Sequence, residues 1–159
     1  MNSNLRAKIE YERSISAHLE RLGHLVGRRV TPDELLDRTA TQSIRTRIQA
    51  QRPMPHKRVD ISFSAMRTER FRRFIAALES AAPQAIQVWT DTTEYCGLFV
   101  IAALGDFDFG FSYEDDPAGL LVLRTADLNN RLVLDFEDDD GQQRLQVEWA
   151  GAQWGALDY

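Results

Sequence analysis

Cysteine occurs once in these 159 residues, at Cys96, which excludes an intramolecular disulfide and fits a reducing compartment. Long apolar runs are also missing. The longest, residues 98–104, falls far short of the roughly 20 residues that a membrane helix needs. The opening residues, Met1-Asn2-Ser3-Asn4-Leu5-Arg6, lead into a charged helical pattern rather than a basic stub followed by an apolar stretch. No secretory signal is read there, and a cytoplasmic location is expected. Lysine is nearly lacking: Lys8 and Lys57 stand against 17 arginines, a bias that a GC-rich genome produces as readily as a need for bidentate contacts.

Catalytic signatures are lacking too. No G-x-x-x-x-G-K-[ST] loop, G-x-G-x-x-G turn, H-E-x-x-H pair or G-x-S-x-G elbow occurs. His18 and His24 are six residues apart, about 240° around a helix, and cannot form a helical zinc pair. Cys96 enters an apolar strand pattern in which a small buried thiol is the ordinary role. Placing Gly141 at the sixth position of an EF-hand loop puts Phe136 at the first and Val147 at the twelfth, so that motif fails. Carboxylates are abundant, yet acid–base work needs pKa values driven apart by burial, and these acids fall at positions expected to be exposed. No catalytic residue, cofactor or metal is therefore assigned.

Basic residues are scarce in one half only. Residues 1–82 hold 16 basic side chains against 9 acids, whereas residues 83–159 hold 3 against 15, so the halves formally carry +7 and −12. Charge sorted in this way controls solubility, steering and partner choice more than fold. With 43% apolar content, the whole chain, 1–159, suits one domain with a real core.

The first half reads as helical. Ile15, Leu19, Leu22 and Val26 recur on one helical face, and Gly27 stops the helix. Thr31-Pro32-Asp33-Glu34 is a capping box that predicts a second helix running on through the weakly apolar segment 35–51. Arg52-Pro53-Met54-Pro55 breaks it. Val59, Ile61 and Phe63 predict a short strand, and Phe71, Phe74, Ile75 and Leu78 a third helix against the core.

The second half changes period. Phe107, Phe109, Phe111 and Tyr113 alternate with polar residues, as do Leu132, Leu134 and Phe136, and Leu145, Val147 and Trp149. Residues 86–90, 98–104 and 120–123 read as more fully covered strands. Turns at 105–106, 116–119, 127–130 and 139–141 imply hairpins. The expected fold class is α+β, with N-terminal helices packed on one face of a five- or six-stranded antiparallel meander sheet.

In that arrangement Asp106, Asp108, Asp135, Glu137 and Glu148 point outward, with Arg131 and Arg144 as counter-charges. Glu114, Asp115 and Asp116, and then Asp138, Asp139 and Asp140, add acids at the rim. Such charges keep a sheet soluble and block edge pairing. Interleaved with Tyr113, Trp149 and Trp154, they also combine steering with aromatic anchors for a basic protein. Arg67, Arg70, Arg72 and Arg73 around the third helix are read as internally paired or solvated, not as a nucleic-acid site.

A small, acidic, motif-free α+β chain with Asp/Glu- and Trp-rich segments at 105–116 and 132–154 resembles the immunity proteins that bacteria pair with contact-dependent or secreted toxins. The resemblance is one of general character over residues 83–159. It implies a non-enzymatic inhibitor that binds a cognate toxin domain, often a basic nuclease, across its active site or an adjacent surface. Expected partner contacts are Asp106, Asp108, Glu114, Asp115, Asp116, Asp135, Glu137, Asp138, Trp149 and Trp154; neither nucleic acid nor membrane is an expected partner. The alternatives are a chaperone or adaptor for a secreted effector, using an apolar groove beside the second helix, and an enzyme whose unfamiliar site gathers acids with His56 or Cys96.

Overall fold

The computed structural model describes residues 3–111 and 119–159. Four α-helices, α1 (Ser3–Val26), α2 (Arg38–Gln49), α3 (Glu69–Ala81) and α4 (Thr93–Cys96), accompany six strands: β1 (His56–Ser62), β2 (Ile86–Trp89), β3 (Phe99–Ile101), β4 (Leu120–Thr125), β5 (Asn130–Asp139) and β6 (Gln142–Gly151). All strand pairs are antiparallel, in the order β1-β6-β5-β4-β2-β3. The fold is α+β, as the change of period predicts. The meander proper is β4-β5-β6, which β1 extends at one edge, while β2 inserts between β4 and β3 at the other.

The long β5–β6 hairpin follows from its sequence. Asp140 and Gly141 both have positive φ, 49° and 83°, the pair of left-handed residues that a two-residue hairpin turn requires. Alternation then decides the faces. Leu132 and Leu134 on β5, Leu145 and Val147 on β6, and Leu121 and Leu123 on β4 are fully buried, while the residues between them are partly or wholly exposed.

Helices α1 and α3 cover the apolar face. Thr68 caps α3 by accepting the Phe71 amide at 3.3 Å, and the spacing of Phe71, Phe74, Ile75 and Leu78 lays one stripe onto the sheet. Phe74 meets Trp149 with ring centroids 4.8 Å apart, and Phe71 meets Phe109 at 5.6 Å. Each such pair adds about 0.5–1.5 kcal/mol beyond area burial. Leu22 and Leu25 of α1 join the same core.

Two local expectations fail for tertiary reasons. The capping box forms, with Glu34 accepting the Thr31 amide at 2.8 Å, but the helix it starts is a single 3-10 turn, Pro32–Glu34. Leu35 and Leu36 then extend and pair with the exposed edge at β3, through a Leu35–Phe99 bridge and a 2.8 Å bond from the Leu36 amide to the Leu98 carbonyl. Edge pairing outcompetes helix continuation, and α2 restarts at Asp37, whose carboxylate accepts the Ala40 amide at 2.7 Å.

The alternation at 107–111 is not a strand. Its described backbone bonds are local or run to α1, from Phe107 to Leu104, from Phe111 to Asp108 and from Asp108 to Leu25. Phe107 and Phe111 are buried and Phe109 partly so, packing as an aromatic wedge at the end of the sheet, with Phe111 5.5 Å from Phe136. A two-residue repeat reports which side chains face the core, not whether a neighbouring strand exists to pair with.

Beyond β6, the chain is locked down by Asn130. This fully buried side chain accepts the amides of Gln153 and Trp154 at 2.9 and 3.0 Å and donates to the Gln153 carboxamide at 2.7 Å. Trp154 in turn donates its indole N–H to the Leu78 carbonyl at 2.8 Å, stitching the C-terminal segment to α3. Asn130→Ala strands the buried Trp154 amide and the partly buried Gln153 amide and is expected to lower unfolding free energy by about 2 kcal/mol, read from urea melts; a loss under about 0.5 kcal/mol would show that water replaces the side chain.

Candidate functional site

The open face of the sheet is a charge lattice rather than an acidic wall. Asp60, Asp135, Glu137 and Glu148 are interleaved with Arg58, Arg124, Arg131 and Arg144 across β1, β4, β5 and β6. Arg131 pairs with Glu148 at 2.7 Å, Glu148 also lies opposite Arg58 and 4.0 Å from His56, and Glu137 lies opposite Arg144. The expected continuous negative surface is thus interrupted by the chain's own arginines. Asp135 and Glu137 point outward as expected, but among counter-charges.

Asp106 and Asp108 leave the sheet altogether. Asp106 accepts the Ala103 amide at 3.1 Å and closes a 3-10 turn, Leu104–Asp106. Asp108 accepts the Gly110 amide at 2.8 Å and lines a cleft of about 770 Å³ between the end of α1, the 28–32 segment and residues 108–111. Beside that cleft Arg28 pairs with Glu34 at 2.7 Å, and the His24 ring lies 3.9 Å from the Glu20 carboxylate. Glu114, Asp115 and Asp116 lie outside the described residues.

The two tryptophans expected as surface anchors are core residues. Trp149 is buried against Phe74 and donates its indole N–H to the Leu157 carbonyl at 3.0 Å, and Trp154 is fully buried over α3. Each satisfies its N–H through the backbone, so neither offers a face to a partner.

Carboxylates do gather at the tip of the β5–β6 hairpin, where Asp138, Asp139 and Asp140 have no ion pair among the described residues. Glu137, Asp138, Asp139, Asp140 and the following residues through Arg144 are all exposed. The β4 ladder ends at the Leu120–Asp135 pair and the β1 ladder at Ser62–Arg144, so Asp138, Asp139 and Asp140 lie past both ladders. Asp138 accepts the Gly141 amide at 2.9 Å, which fixes the turn. Gly119, whose carbonyl accepts the Phe136 amide, also sits at this end of the sheet.

Sequence reasoning missed a second constellation, a groove where α2 passes the open face of β2 and β4. Arg45, Ile48, Trp89, Val122, Arg124 and Glu94 line a space of about 300 Å³. The signal was available only in part: Ile48 is one of few large apolar residues on α2, but nothing local says that it meets Trp89 across the sheet.

A third constellation is buried. His18 on α1 lies 2.8 Å from the Thr92 hydroxyl through Nδ1 and 3.2 Å from the Gly97 carbonyl through Nε2. The carbonyl accepts only, so Nε2 carries the proton and Nδ1 accepts from the hydroxyl. Gly97 can be there because it lacks a side chain: its φ is 106°, and a Cβ would meet the Leu36 carbonyl oxygen at 2.4 Å. Arg21, one helical turn on, donates to Asp91 at 2.6 Å and to the Leu120 carbonyl at 3.4 Å. Burial pushes the Cys96 thiol up to about 11, with Asp91 adding to the rise, so it is no thiolate at neutral pH. His56 stands on β1 at the opposite edge of the sheet from Cys96, and the two do not converge.

Among the described residues no helix is long and apolar enough to cross a membrane, and no group of three His, Cys, Asp or Glu side chains is arranged to hold a metal. Comparison with models of protein families, with curated proteins and with solved structures yields no match. Function must therefore be argued from these residues alone.

Burial pushes the His18 imidazole down to about 4 from 6.5, with the Arg21 charge adding to the fall and the Gly97 hydrogen bond opposing it. The unfolded chain binds this proton more readily than the folded one, so stability is complete above pH 6.5 and is lost as pH falls towards about 4. The loss is on the order of 3 kcal/mol. Urea midpoints measured across that window should slope downward in the native chain and flatten in His18→Gln; an equal slope in both would assign the proton elsewhere.

Proposed function

We propose that this chain is a protein-binding inhibitor of the immunity type, which meets a basic toxin domain through the projecting end of the β5–β6 hairpin. The carrying observation is the hairpin tip. Three consecutive carboxylates, Asp138 to Asp140, extend beyond the β1 and β4 ladders on a two-residue turn, with Glu137 beside Arg144 at their base. Acids so placed steer a cationic partner and dock without rearrangement, because the ladder already holds their backbone.

This relocates the contact from the face of the sheet to its end. Of the residues expected to touch a partner, Glu137 and Asp138 remain in the contact, joined by Asp139 and Asp140. Asp135 lies on the charge lattice behind them. The tryptophans act indirectly, by fixing the sheet from which the hairpin projects. A chaperone for apolar segments is the weaker alternative, since the groove beside α2 carries Arg45, Arg124, Asp91 and Glu94 instead of a continuous apolar lining.

The test is co-expression with a toxin-like domain encoded beside this gene, followed by binding kinetics. Glu137→Lys and Asp139→Lys, combined with Asp138→Asn and Asp140→Asn to keep the turn's hydrogen bond and its left-handed residue, should leave circular dichroism unchanged, because all four are exposed. Association at low salt should slow by about tenfold or more, and its dependence on ionic strength should disappear. Undiminished inhibition by the folded variant would overturn the hairpin contact, and a gene with no toxin-like neighbour would remove the immunity reading.

A further inference from the structure

Arg124 is the least compensated charge among the described residues of the open face. It is half-buried on β4, directly opposite Arg131 on β5, and like charges at facing positions repel. The neighbouring charges are already taken: Arg45 pairs with Glu94, Asp91 with Arg21 at 2.6 Å, and Arg131 with Glu148 at 2.7 Å. Among the described residues no hydrogen bond or ion pair engages the Arg124 guanidinium, and burial first, then Arg131, lower its affinity for the proton. The Nε of Arg131 is buried without a partner as well.

A second side chain shapes the groove beside it. Gln87, the cross-strand neighbour of Arg124 on β2, is only 4% exposed. Its carboxamide oxygen accepts the Trp89 indole N–H at 3.1 Å, which holds the indole on the same face of the sheet as Arg124. A half-buried guanidinium is costly unless something supplies acceptors.

We infer that the groove between α2 and the open face of β2 and β4 binds a small organic monocarboxylate with an apolar body. The head group lies on the Arg124 fork, and the body lies against Trp89, Val122 and Ile48. The charge count selects the head. Once the internal pairs are formed one positive charge is left over, which a monoanion neutralises, whereas a dianionic phosphate would be left in excess beside Asp91 and Glu94. Size selects the body, because about 300 Å³ is at the lower limit of small-ligand pockets and Ile48, Trp89 and Val122 supply its apolar lining.

Phenylacetate is the probe, with benzyl alcohol and inorganic phosphate as comparisons and tryptophan fluorescence as the readout. Trp89 supplies the signal because it is the partly exposed indole; Trp149 is 3% and Trp154 0% exposed. Phenylacetate should change the emission saturably, with a dissociation constant on the order of 1 mM or tighter, and Trp89→Phe should remove the change. Arg124→Met should weaken binding by about tenfold or more without lowering the melting temperature, since it removes an unpaired, desolvated charge. Should the methionine variant fail to fold, Arg124→Gln carries the same comparison. Failure to saturate by about 10 mM, equal binding by an Arg124 variant, or equal affinity for benzyl alcohol or phosphate would each overturn the assignment. The substitutions at the hairpin tip should leave this binding unchanged, so the groove and the hairpin contact stand or fall separately.

Discussion

The β5–β6 ladder is the constraint on which the rest of the molecule depends. Ten paired positions joined by a two-residue turn fix a register that a one-residue slip would destroy, because every buried leucine would turn outward. That register sets Leu132, Leu134, Phe136, Leu145, Val147 and Trp149 against α3 and, in the same act, commits the intervening charged residues to the other face. It also carries the tip of the hairpin past the β1 and β4 ladders. Core, charge lattice and projecting acidic end are three consequences of one alternation.

Charge sorted along the chain is largely unsorted in space. Basic residues of the first half meet acids of the second at Arg21–Asp91, Arg45–Glu94 and Lys57–Asp158. The arginines around α3 are occupied too: Arg72 and Arg73 pair with Glu69, and Arg70 lies over the Tyr159 ring at 4.3 Å. Exposed pairs of this kind contribute at most about 1 kcal/mol each, so they tune surface potential far more than stability. What stays uncompensated is therefore informative. Among the described residues, Arg124 on the open face and Asp138 to Asp140 at the end of the sheet have no ion pair.

Much of the fold was legible. Helical stripes at 15–26 and 71–78 and strand alternation at 132–136 and 145–149 are found as α1, α3, β5 and β6, because each encodes a strong binary contrast between core and solvent. The failures share one cause. Phe107, Phe109 and Phe111 alternate as a strand does, but the sheet offers no edge there, so three rings serve the core without a ladder. Thr31 to Glu34 caps a helix that Leu35 and Leu36 abandon for an edge bond. The candidate site was less legible: Trp149 and Trp154 looked like anchors because aromatic residues suit interfaces and cores alike, and only packing separates the two.

The sequence by itself determined the fold class, the hairpin turn at Asp140-Gly141 and the inward face of each long element, since these depend on contacts or dihedrals spanning a few residues. Tertiary structure alone decided strand order, which charges cancel, and where Trp89 and Arg124 meet α2. Those outcomes depend on elements tens of residues apart being brought side by side, and no local pattern specifies which opposite charge will stand across a strand or which cation will be left over.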